Sequence, residues 1–336
     1  MDWLAQLFSW IAGHESVLSG IAAAIVIAGV VVAISSRTLG LFRARKKDPD
    51  AEPMPAELKI QQQIRYCKLD NGHKIAWATA GSGYPLVRSL GWFTNLELEW
   101  NSPASSPFWQ ALAGNFQLIR YDGRGMGLSD RNVDEFSPAT RIEDLEAVIE
   151  ASGLKKFALF GMSEGGSTAI KYAHKYPQRV SHLILWGSFL TAPTADDIPQ
   201  FSAIARLIPK YWGSDSAAFH QMFTASFLPE GNAAQNELFN EIQRTSATPE
   251  TAFEFLKSIG SVDVRDIAGS VNVPTLVMHR KGDLAVPVRF GQELAAQLPN
   301  ARLELLEGSN HWMAAEKPED ISDITTLIHD FISLPQ

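Results

Sequence analysis

Short apolar runs alternate along most of this chain with segments whose apolar residues recur every three or four positions. The runs at 63–69, 74–79, 85–90, 117–121, 156–162, 180–186, 274–280 and 301–306 predict β-strands, and patterns such as Ile142, Leu145, Val148 and Ile149 predict helices between them. Asp70, Asn71 and Gly72 separate the first two runs, so the domain is expected to open with a hairpin. Strands alternating with helices predict an α/β fold: a mostly parallel sheet flanked by helices. Between Ser188 and Val262 the strand rhythm stops and several helix-like segments follow one another, which predicts a helical cap inserted after the sixth strand, at about 188–262.

The first 57 residues follow another pattern. Residues 16–36 carry no charge and are rich in Ile, Val and Ala; as a helix these 21 residues would be about 31 Å long, close to the hydrocarbon thickness of a bilayer. A cleaved signal peptide would place positive charge before a shorter apolar run, whereas here Asp2 and Glu15 precede it and Arg37, Arg43, Arg45, Lys46 and Lys47 follow. The expectation is a tail at 1–15, a transmembrane helix at 16–36, and a basic flank with a Pro-rich acidic linker at 37–57. The rest of the chain, 58–336, is expected to form the α/β domain. The basic flank predicts a single-pass protein with its N-terminus outside and this domain in the cytoplasm.

Composition narrows the classes further. The chain has 336 residues, 46% hydrophobic and 20% charged, with one cysteine, so no intrachain disulfide forms and a Cys-based zinc site lacks ligands. Net charge is −8, split as +3 over residues 1–47 and −11 over the rest, which argues against nucleic acid as a partner. No HExxH spacing occurs, and Gly81-Ser82-Gly83 lacks the rest of a phosphate-binding loop; no cofactor or metal is expected.

The candidate chemistry starts at Gly161-Met162-Ser163-Glu164-Gly165-Gly166, between an apolar strand and a helical pattern. A serine on so sharp a strand-to-helix turn needs small neighbours, and the turn points its hydroxyl outward. Serine requires a base to act as a nucleophile, and the base a carboxylate to orient it. Asp283 follows the strand PTLVMHR and His311 follows the strand ARLELL, both in loops at the strand ends. Singly, Asp283 would serve as a helix cap and His311 as an ordinary loop histidine. Jointly, Ser163, Asp283 and His311 stand in the nucleophile, acid, base order of one hydrolase architecture.

From about residue 58 to the C-terminus the chain resembles the α/β-hydrolase superfamily. Besides the three residues above, Tyr121 to Asp130 (YDGRGMGLSD) is similar to that family's loop after the fourth strand. PLVRSLGW, RYDGRGMGLSD and the GxSxGG turn look most like bacterial hydrolase domains fused to transcription-regulator or cyclase modules. The resemblance implies an oxyanion hole made of the main-chain N–H groups of Glu164 and of Trp92 in Leu90-Gly91-Trp92, where many members carry His-Gly. Asp122 and Arg124 read as structural, and Ser rather than Asp at position 163 disfavours dehalogenase or epoxide hydrolase chemistry. The Glu164 side chain is placed either beside the reacting centre, where it would disfavour anionic substrates, or in solvent.

Aromatic residues are dense in the cap segment, and Gly91, Phe93, Met162 and Trp312 are expected to join them around the substrate. Such a pocket suits an uncharged acyl or lactone group. The leading expectation is a serine hydrolase that cleaves carboxylic esters or lactones of apolar small molecules through an acyl-enzyme. Carbon–carbon bond hydrolysis and cofactor-free perhydrolysis share the triad, and a membrane-tethered ligand-binding or accessory module is the alternative outside enzymes.

Overall fold

The computed structural model describes residues 59–333 except Asp134, Asp215 and Glu316. The transmembrane helix, tail and linker expected at 1–57 lie outside the described residues. Within these, no helix is long and apolar enough to cross a membrane.

Eight strands form one sheet: β1 (Gln63–Lys68), β2 (Lys74–Ala80), β3 (Tyr84–Ser89), β4 (Phe116–Tyr121), β5 (Phe157–Met162), β6 (Val180–Trp186), β7 (Thr275–Arg280) and β8 (Ala301–Leu306). Their order is β1-β2-β4-β3-β5-β6-β7-β8. β1 and β2 make an antiparallel hairpin whose turn uses Gly72 at a φ of 90°; β2 also runs antiparallel to β4, and the remaining pairs are parallel. Central strands such as β5 and β7 are buried along their whole length because helices cover both faces of the sheet.

Alternation along each strand divides the core in two. Ala158, Phe160, Ile184, Trp186, Leu276 and Met278 point to one face. There they meet α2 (Ser106–Asn115) and α12 (Pro318–Ser333). Phe157, Leu159, Leu183, Leu185 and Val277 point to the other, against α3 (Pro138–Ser152), α4 (Glu164–Lys175) and α11 (Val288–Gln297). A short helix, α1 (Leu96–Asn101), lies between β3 and α2. Ser137 starts α3 with a capping box, and Gly153 ends it in the left-handed conformation at a φ of 71°.

Between β6 and β7 the chain passes through α5 (Pro199–Ala205), α6 (Ile208–Tyr211), α7 (Ala217–Phe227), α8 (Ala233–Ser246), α9 (Pro249–Ile259) and α10 (Arg265–Ala268). The insertion closes at its neck, where the Val264 N–H donates to the Leu190 carbonyl at 2.9 Å and the Ala192 N–H to that of Val262 at 3.2 Å. Aromatic rings join it to the sheet: Trp92 lies 5.3 Å from Phe227 and 5.5 Å from Phe223, and Phe93 lies 5.1 Å from Trp212.

Candidate active site

β5 ends at Met162, and Ser163 turns the chain into α4 with φ 53° and ψ −127°, the one non-glycine positive φ among the described residues. Such a backbone costs on the order of 1–3 kcal/mol and persists only where its surroundings enforce it. Here they do. The Ser163 N–H donates to the Trp186 carbonyl at 2.8 Å, and the glycines around the turn are closely packed by their neighbours. A Cβ on Gly161 would meet the backbone of Gly165 and Gly166, one on Gly165 would meet the Leu90 carbonyl, and one on Gly166 would overlap Ser188.

Asp283 and His311 come from the loops after β7 and β8 and meet beside this turn. His311 Nδ1 lies 2.6 Å from Asp283 Oδ2. The other carboxylate oxygen accepts the N–H groups of Ala285 and Val286, each at 2.9 Å, so the loop itself orients the acid. The main chain of His311 is fixed on both sides: its N–H donates to the Phe227 carbonyl, and its carbonyl accepts Trp186 Nε1, both at 2.8 Å. Gly187, at a φ of 55°, leaves room that a side chain would take from the His311 ring. With Nδ1 engaged by Asp283, Nε2 of His311 is buried without a hydrogen-bond partner and is the ring's available base.

A second histidine, His279 on β7, stands behind the acid with Nε2 3.7 Å from Asp283 Oδ2. That nitrogen lies 2.8 Å from the Val286 carbonyl, which can only accept, so it carries the proton; burial pushes the His279 pKa down and keeps the ring neutral. Nothing in the sequence pattern separates His279 from an ordinary strand residue.

Ser163 and His311 line one cleft of about 180 Å³. Its other walls are nearly all apolar: Trp92, Phe189, Ala285 and Val286 from the sheet side, Ile198, Phe201, Ala205 and Phe227 from α5, α7 and the chain before them, Leu256 and Ile259 from α9. Ser202 is the additional polar side chain, and no Lys, Arg, Asp or Glu lines the cleft among the described residues.

Trp92 and Glu164 flank the nucleophile. A Cβ on Gly91 would overlap the Met162 carbonyl oxygen and approach Ser163 Cβ to 3.1 Å, so the chain entering Trp92 runs directly against the turn. The Glu164 N–H heads α4, where no intrahelical acceptor exists.

Two expectations need correction. The Glu164 carboxylate lies neither beside the reacting centre nor in solvent: it is buried, 1% exposed, with Oε1 2.8 Å from Arg141 Nη1 and 3.1 Å from Thr168 Oγ1. Burial raises its pKa and the Arg141 charge opposes that rise. Gly91, Phe93, Met162 and Trp312 do not line the cleft. Phe93 is turned toward Trp212 and Phe255, Trp312 packs on Phe239 at 5.1 Å, Met162 sits in the core beneath, and Gly91 is consumed by its backbone contact.

Asp122 and Arg124 hold their loop together. Asp122 accepts the N–H groups of Leu96 (3.2 Å) and Leu128 (2.9 Å), and burial raises its pKa to about 6. Arg124 Nε donates to Asp144 at 2.8 Å.

Residues 91–318 match the α/β hydrolase fold family, and the chain belongs to it. A 2-hydroxy-6-oxo-6-phenylhexa-2,4-dienoate hydrolase of Comamonas testosteroni is 27% identical over 214 residues, 62% of this chain and 74% of that protein. Among solved structures, an esterase from Exiguobacterium antarcticum superposes with a TM-score of 0.67 at 23% identity, covering 80% of this chain and 99% of its own. The enol-lactonase from Burkholderia xenovorans superposes with a TM-score of 0.65 at 20% identity, covering 80% and 100%.

Proposed function

We propose that this α/β hydrolase cleaves carboxylic esters or lactones of uncharged, apolar small molecules. The observation that carries this reading is the cleft itself: Ser163 and His311 open into a space whose remaining walls are apolar but for Ser202 and, among the described residues, offer no cation. A neutral acyl group gains from that burial, whereas a carboxylate-bearing substrate would leave its charge desolvated and unpaired.

His311 Nε2 takes the proton of the Ser163 hydroxyl as Oγ attacks the substrate carbonyl carbon. The Asp283 carboxylate stabilises the resulting imidazolium across the 2.6 Å contact. The N–H groups of Trp92 and Glu164 receive the developing oxyanion. Collapse expels the alcohol, which takes the proton from His311, and leaves an acyl-Ser163 ester. Water, deprotonated by His311, then attacks that ester, and collapse releases the acid as His311 returns the proton to Ser163 Oγ.

Carbon–carbon bond hydrolysis is a second reading, favoured by the relative from Comamonas testosteroni, whose name specifies a dienoate substrate. Among the described residues no cation lines the cleft, which weighs against a carboxylate substrate of that kind here.

The test is a hydrolysis screen over neutral esters and lactones, run beside a dienoate substrate, with fluorophosphonate labelling of the wild type and Ser163→Ala. Ester turnover and labelling, both lost in Ser163→Ala by several orders of magnitude, are the expected result. Turnover of the dienoate alone would favour the second reading. Absence of labelling in the wild type would favour ligand binding without catalysis.

A further inference from the structure

Arg141 extends from the first turn of α3 into the space between the nucleophile turn and the insertion. Nη1 pairs with Glu164 at 2.8 Å. Nη2 binds Ser258 Oγ and lies 3.4 Å from the Phe255 carbonyl, and the guanidinium stacks 4.5 Å from the centre of the Phe255 ring. One planar group thus joins the residue after the nucleophile to helix α9. A guanidinium suits this task because its fork bonds in two directions while its face stacks on an aromatic ring.

The two working faces of α9 are adjacent. Phe255 and Ser258 meet Arg141, while Leu256 and Ile259, each one position further on and about 100° around the helix, line the cleft. Among the described residues, the hydrogen bonds that join α9 to the sheet-bearing part of the domain come from Arg141. Neighbouring parts of the insertion have other ties. Arg131 binds the Thr245 carbonyl at the end of α8, and Phe227 at the end of α7 accepts the His311 N–H. Beyond Arg141, α9 is held to the sheet-bearing part by the packing of Phe255 on Trp92 and Phe93 and by the neck bond at Val262. Losing the Arg141 link would therefore loosen α9 rather than detach it, and let Leu256 and Ile259 shift with it.

We propose that Arg141 is a positioning residue that fixes α9 against the nucleophile turn and thereby limits the size of the acyl group the cleft accepts. The inference rests on the ester or lactone reading for its kinetic consequence, though not for the mechanical link. Both ends of the link are buried, so water does not compete for its bonds: Arg141 is 8%, Glu164 1% and Ser258 8% exposed.

Two variants separate positioning from general stability. Arg141→Lys keeps a cation for Glu164 but loses the fork and the stacked face. Ser258→Ala removes one bond at the α9 end and leaves the Arg141–Glu164 pair intact. With p-nitrophenyl acetate and octanoate as probes, the octanoate-to-acetate ratio of kcat/KM is expected to rise about fivefold or more in Arg141→Lys and less in Ser258→Ala, chiefly through the KM for octanoate. Acetate turnover by Ser258→Ala should stay near wild type. A merely structural role would lower the melting temperature and scale both esters alike, and an unchanged ratio in both variants overturns the proposal. Hydrogen–deuterium exchange of 249–260, on the full chain, covers the case in which the wild type hydrolyses neither ester. Faster exchange confined to that segment in both variants supports the link, and unchanged exchange overturns it, while the missing wild-type turnover counts separately against the ester reading.

Discussion

Gly91 is the residue whose replacement best tests the oxyanion assignment, because a methyl group there cannot avoid the Met162 carbonyl. Gly91→Ala must push the Trp92 N–H away from Ser163, and kcat for ester hydrolysis should fall by about 100-fold or more, with KM changed less. Near-normal kcat would remove Trp92 from the oxyanion hole. Asp122 makes a prediction about pH. Its folded pKa of about 6 exceeds the roughly 3.9 of an unfolded aspartate, so the native state keeps a proton the unfolded chain has released. Stability should then fall as pH rises from about 4 to about 6 and level off above, by something on the order of 1–3 kcal/mol. Asn fits the site, since Oδ2 takes both backbone bonds and Oδ1 has none. Burial raises Asp144 to about 6 as well, so Asp122→Asn should reduce that fall rather than abolish it. Urea midpoints at pH 4.5 and pH 7 that differ as much in the variant as in the wild type would assign the titration to groups other than Asp122. That Ser163, Asp283 and His311 come together was legible because a glycine-flanked serine and two strand-end polar residues are local signals. Glu164 was not, since its partner lies 23 positions back. A trace of it does exist: Arg141 and Asp144 share the i, i+3, i+4, i+7 face with Leu145 and Val148, and charges on a buried stripe announce ion pairs.

The short helix α1 shows what holds a single element in place. It is only six residues long, too short to persist alone, and Asn95 caps it by accepting the N–H groups of Glu97 and Leu98. Its anchor is Glu99, buried, whose Oε2 meets Arg88 of β3 at 2.9 Å and Arg120 of β4 at 2.8 Å. Both guanidiniums stack on Trp109 of α2, at 4.7 and 4.2 Å, and burial lowers the Arg120 pKa to about 10. Glu99→Gln would leave two buried cations without their anion and should cost about 3–5 kcal/mol. The triple change Arg88→Met, Glu99→Leu, Arg120→Met removes all three charges and should recover much of that loss. Urea unfolding of the two proteins decides it, and equal losses would mean that shape rather than charge holds α1. The eight strands were legible to within one residue at each end, because each is a compact apolar run closed by turn residues. No apolar stripe announces α1, whose position follows from a charge cluster assembled by β3, β4 and α1 together. The wall residues of the cleft were equally hidden: sequence order puts Phe93 and Trp312 beside site residues, but packing turns both into the aromatic layer below.

At the scale of the whole molecule, both faces of the sheet and all three candidate triad residues lie within 59–333, with two apolar cores closed by helices of the same segment. A fragment of residues 58–336 should therefore fold and hydrolyse esters with the kcat of the full chain. The charge division along the chain supports a separate role for what precedes it: the +3 of residues 1–47 sits mostly directly after the uncharged run at 16–36, while the remainder carries −11. Lysines and arginines behind a spanning segment stay on the cytoplasmic side, and the anionic remainder gains nothing from lying on an anionic leaflet. We propose that residues 16–36 tether the hydrolase to a membrane with the catalytic domain in the cytoplasm. In fractionated cells the full chain should then sediment with membranes and resist carbonate extraction, and the 58–336 fragment should stay in the supernatant with unchanged kcat. Protease added outside intact cells should spare the domain. Digestion of the domain under those conditions would reverse the orientation, and full-length protein in the supernatant would show that the apolar run does not insert.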